Sequence, residues 1–179
     1  MSLIYEPSED SYLMQEVLKK YILNKDIRVL EIGTGSGILL QTLIDLDISP
    51  PKIVATDINP EAINHINKDF PKINCISSDL FENIKDKFDI IIFNPPYLPQ
   101  DKEKQEDKES QLITTGGKKG SEIINKFLKQ AQEYLTKQGK IFLLTSNLTE
   151  DINWLNYKKR LLEKKKIFFE ELVVWELKL

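Results

Sequence analysis

The chain has 179 residues, which fits one domain, and it is 41% hydrophobic and 30% charged, as is ordinary for a soluble globular protein. Its net charge of −3 argues against broad binding to a nucleic-acid backbone, which needs clustered positive charge, although a small nucleic-acid target stays open. No apolar run approaches the roughly 20 residues that cross a bilayer, the N-terminus lacks a secretory signal, and one cysteine with one histidine cannot form an ordinary zinc site, so we expect a cytoplasmic protein without metal.

Apolar runs alternate with helical stretches along the chain. Helices are predicted over residues 8–23, 36–46 and 120–136 and from Pro60 onward, and strands over 27–32, 52–56, 73–77, 88–93 and 140–145. Continuous apolar strands between helices indicate a parallel sheet that is covered on both faces. The β-branched and aromatic segment 167–177 predicts one or two final strands, as an antiparallel pair at the sheet edge.

These elements predict one domain over residues 1–179, an α/β fold with a doubly wound, mostly parallel, seven-stranded sheet and an antiparallel C-terminal edge strand. The polar segment 99–119 follows the fourth strand without a clear pattern. A stretch of this length inside a compact domain is uncommon unless it is functional, and we interpret it as a lid.

A glycine-rich turn with Gly33 and Gly35 follows the first strand and opens a helix, which allows a ligand to approach the backbone closely. Such turns also serve packing alone. This one lacks the Lys-Ser/Thr ending of a phosphate-binding loop, and Glu31 beside it would repel a phosphate. Glu31 instead suits a cation, such as the ammonium group of an amino acid.

Two further acids follow the next two strands. Asp57 lies 24 residues after Gly33, the distance at which an acid commonly binds a ribose diol, and Asp79 could accept a hydrogen bond from the exocyclic amine of adenine. With their neighbours Ile58 and Leu80, these residues predict a pocket for S-adenosylmethionine. A dinucleotide is the alternative that the pattern leaves open.

The fourth strand ends in Asn94-Pro95-Pro96-Tyr97, a stiff turn that displays an amide, carbonyl groups and an aromatic face. The prolines could simply end the strand. Together with the three acids, however, the tetrapeptide resembles the class I S-adenosylmethionine-dependent methyltransferases that modify planar amino groups of adenine, guanine and glutamine. The resemblance implies a Rossmann-like fold with the tetrapeptide as the catalytic element, beside the methyl donor. The Asn94 side-chain oxygen and the Pro95 carbonyl would accept the two N–H groups of the acceptor, and Tyr97 would stack on it.

Two further motifs sharpen this resemblance. The segments Tyr5-Glu6-Pro7-Ser8-Glu9-Asp10-Ser11-Tyr12-Leu13-Met14 and Gly116-Gly117-Lys118-Lys119-Gly120 are similar to those of the short archaeal and eukaryotic release-factor glutamine methyltransferases. The resemblance implies that the N-terminal motif folds over the donor, with Ser11 as a contact, although Ser11 could equally be a plain helix-start residue. It also implies a glutamine substrate in the Gly-Gly-Gln motif of a class I translation release factor.

The same resemblance implies a small zinc-binding activator subunit that pairs along an edge strand, for which residues 74–76 are a plausible contact. The basic and aromatic run 164–169 departs from the family pattern. Three alternatives stay open: a protein lysine methyltransferase, an RNA guanine-N2 or DNA adenine-N6 methyltransferase, and a binding subunit without activity. Direct contact with nucleic acid or a membrane is not expected.

Overall fold

The structure, a computed structural model, describes residues 4–100 and 115–179. Its seven strands are β1 (Val29–Ile32), β2 (Ile53–Asp57), β3 (Asn74–Ser77), β4 (Phe88–Phe93), β5 (Leu135–Ser146), β6 (Lys158–Ile167) and β7 (Glu170–Lys178). They form one sheet in the order β3-β2-β1-β4-β5-β7-β6. The five strands β1 to β5 pair in parallel, whereas β7 runs antiparallel to both β5 and β6.

Among residues 4–100 and 115–179, four α-helices cover the two faces of this sheet: α1 (Glu9–Tyr21), α2 (Ile38–Asp45), α3 (Pro60–Asp69) and α4 (Glu122–Ala131). Successive strand residues point to opposite faces, so each parallel strand contributes to two apolar layers. On one face, Ile90 and Ile92 join a layer with buried residues of α1, α2 and α3. On the other face, Ile91 and Phe93 join a layer with buried residues of α4. The predicted doubly wound α/β sheet with an antiparallel C-terminal pair is confirmed.

Two element boundaries differ from the prediction. The helix predicted over 120–136 ends at Ala131, a single 3₁₀ turn spans Gln132–Tyr134, and β5 begins at Leu135. Leu135 is buried and pairs with Phe88 of β4, so burial in the sheet overrides the helical pattern.

The edge strand β6 begins well before the predicted segment 167–177. Most residues of β6 are charged, which is typical of a solvent-exposed segment rather than of a strand. Leu162 is the one residue of β6 that is buried. Pairing with β7 through nine register positions, rather than hydrophobic periodicity, makes this segment a strand. Lysine-rich edge strands are a common protection against pairing with another chain.

Most of the predicted lid, residues 101–114, lies outside the described residues. The two ends of that segment meet at a bridge between Leu98 and Thr115, where the Gly116 N–H donates to the Leu98 carbonyl at 3.0 Å. Within residues 4–100 and 115–179, no helix has both the length and the apolar character needed to cross a membrane.

Candidate active site

The predicted site residues converge because β1, β2 and β4 are parallel neighbours. Ile32, the last residue of β1, is in register with Thr56 of β2 and with Phe93 of β4. The residues that follow these strands therefore meet at the carboxyl edge of the sheet. Ligands of open α/β sheets bind at such an edge.

The glycine-rich turn is fastened to the end of β2. The N–H of Gly33 donates to the Thr56 carbonyl at 2.8 Å, and the N–H of Gly35 donates to Asp57 Oδ2 at 2.9 Å. The second carboxylate oxygen of Asp57 accepts the N–H of Asn59 at 2.9 Å. Gly33 and Gly35 have φ values of +69° and +49°, which favour glycine. Each Asp57 oxygen keeps accepting capacity, so the carboxylate can also receive two ligand hydroxyls.

Glu31 is buried at the end of β1 with 2% of its surface exposed, and the Thr34 hydroxyl donates to its Oε2 at 3.3 Å. Burial raises the pKa of the Glu31 carboxyl well above its usual value, and the negative charge of Asp57 raises that pKa further. An acid in this state favours a positively charged partner, because a cation would compensate both effects.

Asp79 reaches the same edge, since the N–H of its neighbour Ser78 donates to the Asp57 carbonyl at 2.9 Å. Its side chain, however, forms an ion pair with Lys126 of α4 at 2.5 Å. The predicted adenine contact therefore shares Asp79 with a lysine. Ile58 is 70% exposed beside the turn, whereas Leu80 is buried at a φ of +53°.

Asn94 directly follows β4, and its side-chain orientation is set by Asp10. The Asn94 Nδ2 donates to Asp10 Oδ2 at 3.3 Å. A carboxylate only accepts hydrogen bonds, so the amide nitrogen must face Asp10 and Oδ1 must face the other way. This Oδ1 is buried and has no hydrogen-bond partner among the described residues. A buried acceptor without a partner is destabilising by about 1–3 kcal/mol, and this oxygen has the capacity to accept a hydrogen bond.

The N-terminal motif lies over this edge. The Tyr5 hydroxyl donates to Asp10 Oδ2 at 2.8 Å, and a Cβ placed on Gly35 would lie 3.8 Å from the Tyr5 side chain. Ser8 occupies the N-cap position of α1, but its hydroxyl donates to Asp10 Oδ1 at 2.9 Å and makes no capping bond. Ser11 is buried and directs both its N–H and its hydroxyl to the same Asp10 oxygen.

The turn of two prolines and Tyr97 is supported by the second family motif. Pro95 is buried, and the Pro96 carbonyl lies 2.5 Å from the position that a Gly116 Cβ would take. The Tyr97 carbonyl lies 2.2 Å from the position of a Gly120 Cβ and accepts the Thr149 hydroxyl at 3.0 Å. The glycines at 116 and 120 therefore allow the segment after residue 115 to pack against the backbone of this turn.

Sequence reasoning missed the role of two acids. Asp10 orients the Asn94 amide, and its place in the N-terminal motif was the available signal. Glu170, the first residue of β7, carried no signal in the sequence. The pKa of the Tyr97 phenol is raised, chiefly by burial and then by the charges of Asp10 and Glu170, so both acids act on that phenol electrostatically.

The residues present fit S-adenosylmethionine. Glu31 suits its ammonium group, the accepting capacity of Asp57 suits a ribose diol, and the two carboxylates would repel a pyrophosphate. The turn at Gly33 leaves ordinary contact space, since a Cβ there would find its nearest neighbour at 3.8 Å.

Comparisons with known proteins identify methyltransferases. The family model described as Eco57I restriction-modification methylase matches residues 18–173. A relative from Methanocaldococcus jannaschii, named as a protein N5-glutamine methyltransferase, is 40% identical over 96% of this chain and 89% of its own length. Methyltransferase HEMK2 of Mus musculus is 30% identical over 79% of this chain and 71% of its own.

Solved structures give the same result. A chain of the E. cuniculi Mtq2–Trm112 complex, described as responsible for methylation of the eRF1 translation termination factor, is 26% identical and superimposes with a TM-score of 0.76 over 98% of both chains. A ribosomal protein L11 methylase of Lactobacillus delbrueckii is 17% identical, with a TM-score of 0.65, and supports the fold alone. The chain belongs to the S-adenosylmethionine-dependent protein N5-glutamine methyltransferase family, in its short archaeal and eukaryotic form.

Proposed function

We propose that this enzyme methylates the side-chain amide nitrogen of the glutamine in the Gly-Gly-Gln motif of a class I translation release factor, in the cytoplasm. The buried, unpartnered Oδ1 of Asn94 is the observation that supports this proposal most directly. It offers an acceptor for an N–H group at the edge where the donor-binding residues meet. The names of the relatives, including the complex that methylates eRF1, support the same substrate.

The chemistry required of the protein is mainly positioning. An amide nitrogen is a poor nucleophile because its lone pair is delocalised into the carbonyl group. Hydrogen bonds from its two N–H groups to Asn94 Oδ1 and to the Pro95 carbonyl hold the nitrogen in place and favour a pyramidal geometry. Tyr97 packs against the planar amide. The nitrogen releases its proton most easily once it is alkylated and cationic, so the site needs no strong base.

S-adenosylmethionine supplies the methyl group on a cationic sulfur. The residues that hold it are assigned by chemistry: Asp57 to the ribose hydroxyls, Glu31 to the ammonium group, and Asp79 to the adenine amine. The turn at Gly33 and Gly35 lies against the donor. Ser11, Ile58, Leu80 and Asn94 complete the proposed contacts.

A small zinc-binding activator is proposed as the partner, by analogy with the E. cuniculi complex of Mtq2 with Trm112. The free edge of β3 is the proposed contact, because Asn74 and Ser77 are exposed there. A cavity of about 160 Å³ borders this edge and is lined in part by Val54, Ile76 and Ile84. A partner strand along β3 would cover these apolar side chains.

Lysine is a second candidate acceptor. The charges of Asp10 and Glu170 lie near Tyr97, and two acids at the acceptor side would attract an ammonium group. A lysine must lose its proton before it accepts a methyl group, so its methylation rate would rise steeply with pH. A glutamine amide does not titrate in this range and would show no such rise.

The deciding experiment measures radiolabel transfer from S-adenosylmethionine to a class I release factor, with and without the zinc-binding activator. A factor with its Gly-Gly-Gln glutamine changed to alanine is the matched control. Label that disappears with this change supports the proposal, and dependence on the activator supports the partner. Label that persists on the altered factor would identify lysine or another residue, and label on RNA instead of protein would overturn the proposal.

A further inference from the structure

The hairpin between β6 and β7 ends in two aromatic residues that are almost fully exposed. Ile167 and Glu170 are paired across the hairpin, so Phe168 and Phe169 alone form the turn. They are 89% and 95% exposed, more than any other large apolar side chain among the described residues. Two adjacent phenylalanines in water form an apolar patch of the kind that marks an interaction site.

The backbone of this turn is also unfavourable for its residues. Phe168 has a φ of +52°, in the left-handed region. Two-residue hairpin turns favour glycine or asparagine at such a position, and a bulky residue there is an outlier. Residues that break the local rules of a fold are expected at functional sites. The lysines of β6 are explained by protection of a sheet edge, but the two phenylalanines are not.

The turn lies on the side of the sheet where the carboxyl ends of the parallel strands carry the candidate active site. Ser146, at the end of β5, pairs with Leu172 near the start of β7, so the turn projects from the carboxyl edge. β7 is two strands away from β4, a separation of about 10 Å, whereas the β3 edge is about 24 Å from β7. An activator on β3 would therefore leave this turn uncovered.

Contacts on either side of the turn connect it to the acceptor side of the site. Lys165 forms an ion pair with Glu9 in the first turn of α1, one residue before Asp10. The negative charge of Glu170, directly after the turn, contributes to the raised pKa of the Tyr97 phenol, and the Glu170 Oε1 is buried without a hydrogen-bond partner among the described residues. These contacts place the turn next to residues of the acceptor side of the site.

We propose that Phe168 and Phe169 form a docking surface for the methyl-acceptor protein, which seats an apolar pocket of that protein beside the active site. This inference rests on the proposed function, because the acceptor is a folded protein that must be held while one side chain enters the site. The docking surface provides affinity and takes no part in methyl transfer.

The test uses the variant Phe168→Gly with Phe169→Ser, which removes both rings and places glycine where φ is positive. We expect an unchanged or raised Tm, because the turn is relieved of strain. The KM for the intact release factor should rise about tenfold or more, as for the loss of an aromatic hot spot. The kcat, the donor Kd and the KM for a short Gly-Gly-Gln peptide should stay unchanged.

Two further variants sharpen the result. Phe169→Ser alone keeps the turn backbone and should show a smaller rise in the same KM. Leu23→Ser is the matched control, because Leu23 is 83% exposed near Asp89, at the amino edge of the parallel strands and away from the active site. This variant should leave the KM for the release factor, the kcat and the donor Kd unchanged. An unchanged KM for the release factor in the double variant would overturn the inference, as would an equal loss with the factor and the peptide.

The same experiment separates the inference from the proposed function. If the wild-type enzyme labels no release factor, the proposed function fails and this inference fails with it. If the wild type labels the factor and the double variant does so with the same KM, the docking surface alone is wrong. Sedimentation of the wild type, but not the variant, with phosphatidylserine vesicles at an unchanged KM would assign the turn to a membrane and also overturn the inference.

Discussion

At the scale of single residues, the orientation of the Asn94 amide predicts that a substitution there lowers the catalytic rate without lowering the stability of the fold. Its nitrogen is bound to Asp10, and its buried oxygen has no partner among the described residues. Asn94→Ala should lower kcat by about 10²–10³, by analogy with the loss of one oxyanion-hole donor. The donor Kd should change far less than kcat, because Asn94 is only one of several proposed donor contacts. The Tm should change little, because the substitution removes an unsatisfied acceptor together with one hydrogen bond to Asp10 Oδ2, which still accepts the Tyr5 hydroxyl. Initial rates, titration calorimetry and scanning calorimetry measure the three quantities, and a large loss of donor affinity would contradict the assigned role.

Glu31 gives a prediction about pH. Its pKa in the folded protein is raised above the unfolded value of about 4.5, so the folded state holds the proton more tightly. Above pH 4.5, ionisation of Glu31 therefore destabilises the fold, and this penalty grows until the raised pKa is passed. Glu31→Gln should increase the free energy of unfolding of the donor-free protein at pH 7 and leave it unchanged near pH 3. Urea unfolding at both pH values tests this, with the exposed Glu82→Gln as control; equal effects at both values would refute it.

At the scale of elements, the motif around Gly116 and Gly120 supports the catalytic turn by close backbone contact. A Cβ on Gly116 would lie 2.2 Å from the Gly120 carbonyl oxygen and 2.5 Å from the Pro96 carbonyl oxygen. These atoms belong to the backbone and cannot rotate away. Gly116→Ala should therefore lower stability by about 1–3 kcal/mol or more and reduce kcat by displacing the turn.

Gly33→Ala is the comparison for this element, because a Cβ at Gly33 has free space and meets only the unfavourable φ of +69°. We expect a smaller loss of stability of about 1 kcal/mol for that change. Denaturant unfolding and initial rates measure both variants. A Gly116→Ala enzyme with normal stability and rate would mean that the motif does not support the turn.

At the scale of the whole molecule, donor binding should stabilise the fold, since the proposed donor contacts lie on several successive elements. A free donor concentration of about 100 times Kd adds about 2.7 kcal/mol, which corresponds to a Tm increase of about 5–10 °C for a chain of this length. The wild type and Asn94→Ala should show this increase at one fixed donor concentration.

Asp57→Ala should lose about half of the increase or more, because the ribose hydrogen bonds to a carboxylate are worth at least about a tenfold change in Kd. Asp57 also holds the N–H groups of Gly35 and Asn59, so its Tm without donor is the baseline for the comparison. An undiminished increase in Asp57→Ala would show that the ribose assignment is wrong.

The sequence by itself determined how β1 to β4 and their helices follow one another along the chain, and which residues stand at the strand ends. It could do so because hydrophobic period, glycine turns and prolines are local signals, and Pro60 begins α3 as predicted. Family motifs then pointed to the correct class of enzyme. The carboxyl ends of parallel strands meet at one edge of a sheet, so the sequence alone predicts that Gly33, Asp57 and Asn94 lie at the same site.

The tertiary structure alone decided the remaining features, because they depend on contacts between residues far apart in the chain. The pairing of β6 with β7 made a charged segment into an edge strand and placed the charge of Glu170 where it raises the pKa of Tyr97. Lys126 forms an ion pair with one carboxylate oxygen of Asp79. Asp10 lies 84 residues before Asn94 and orients the Asn94 side-chain amide. No local pattern encodes these pairs, since each depends on the packing of one element against another.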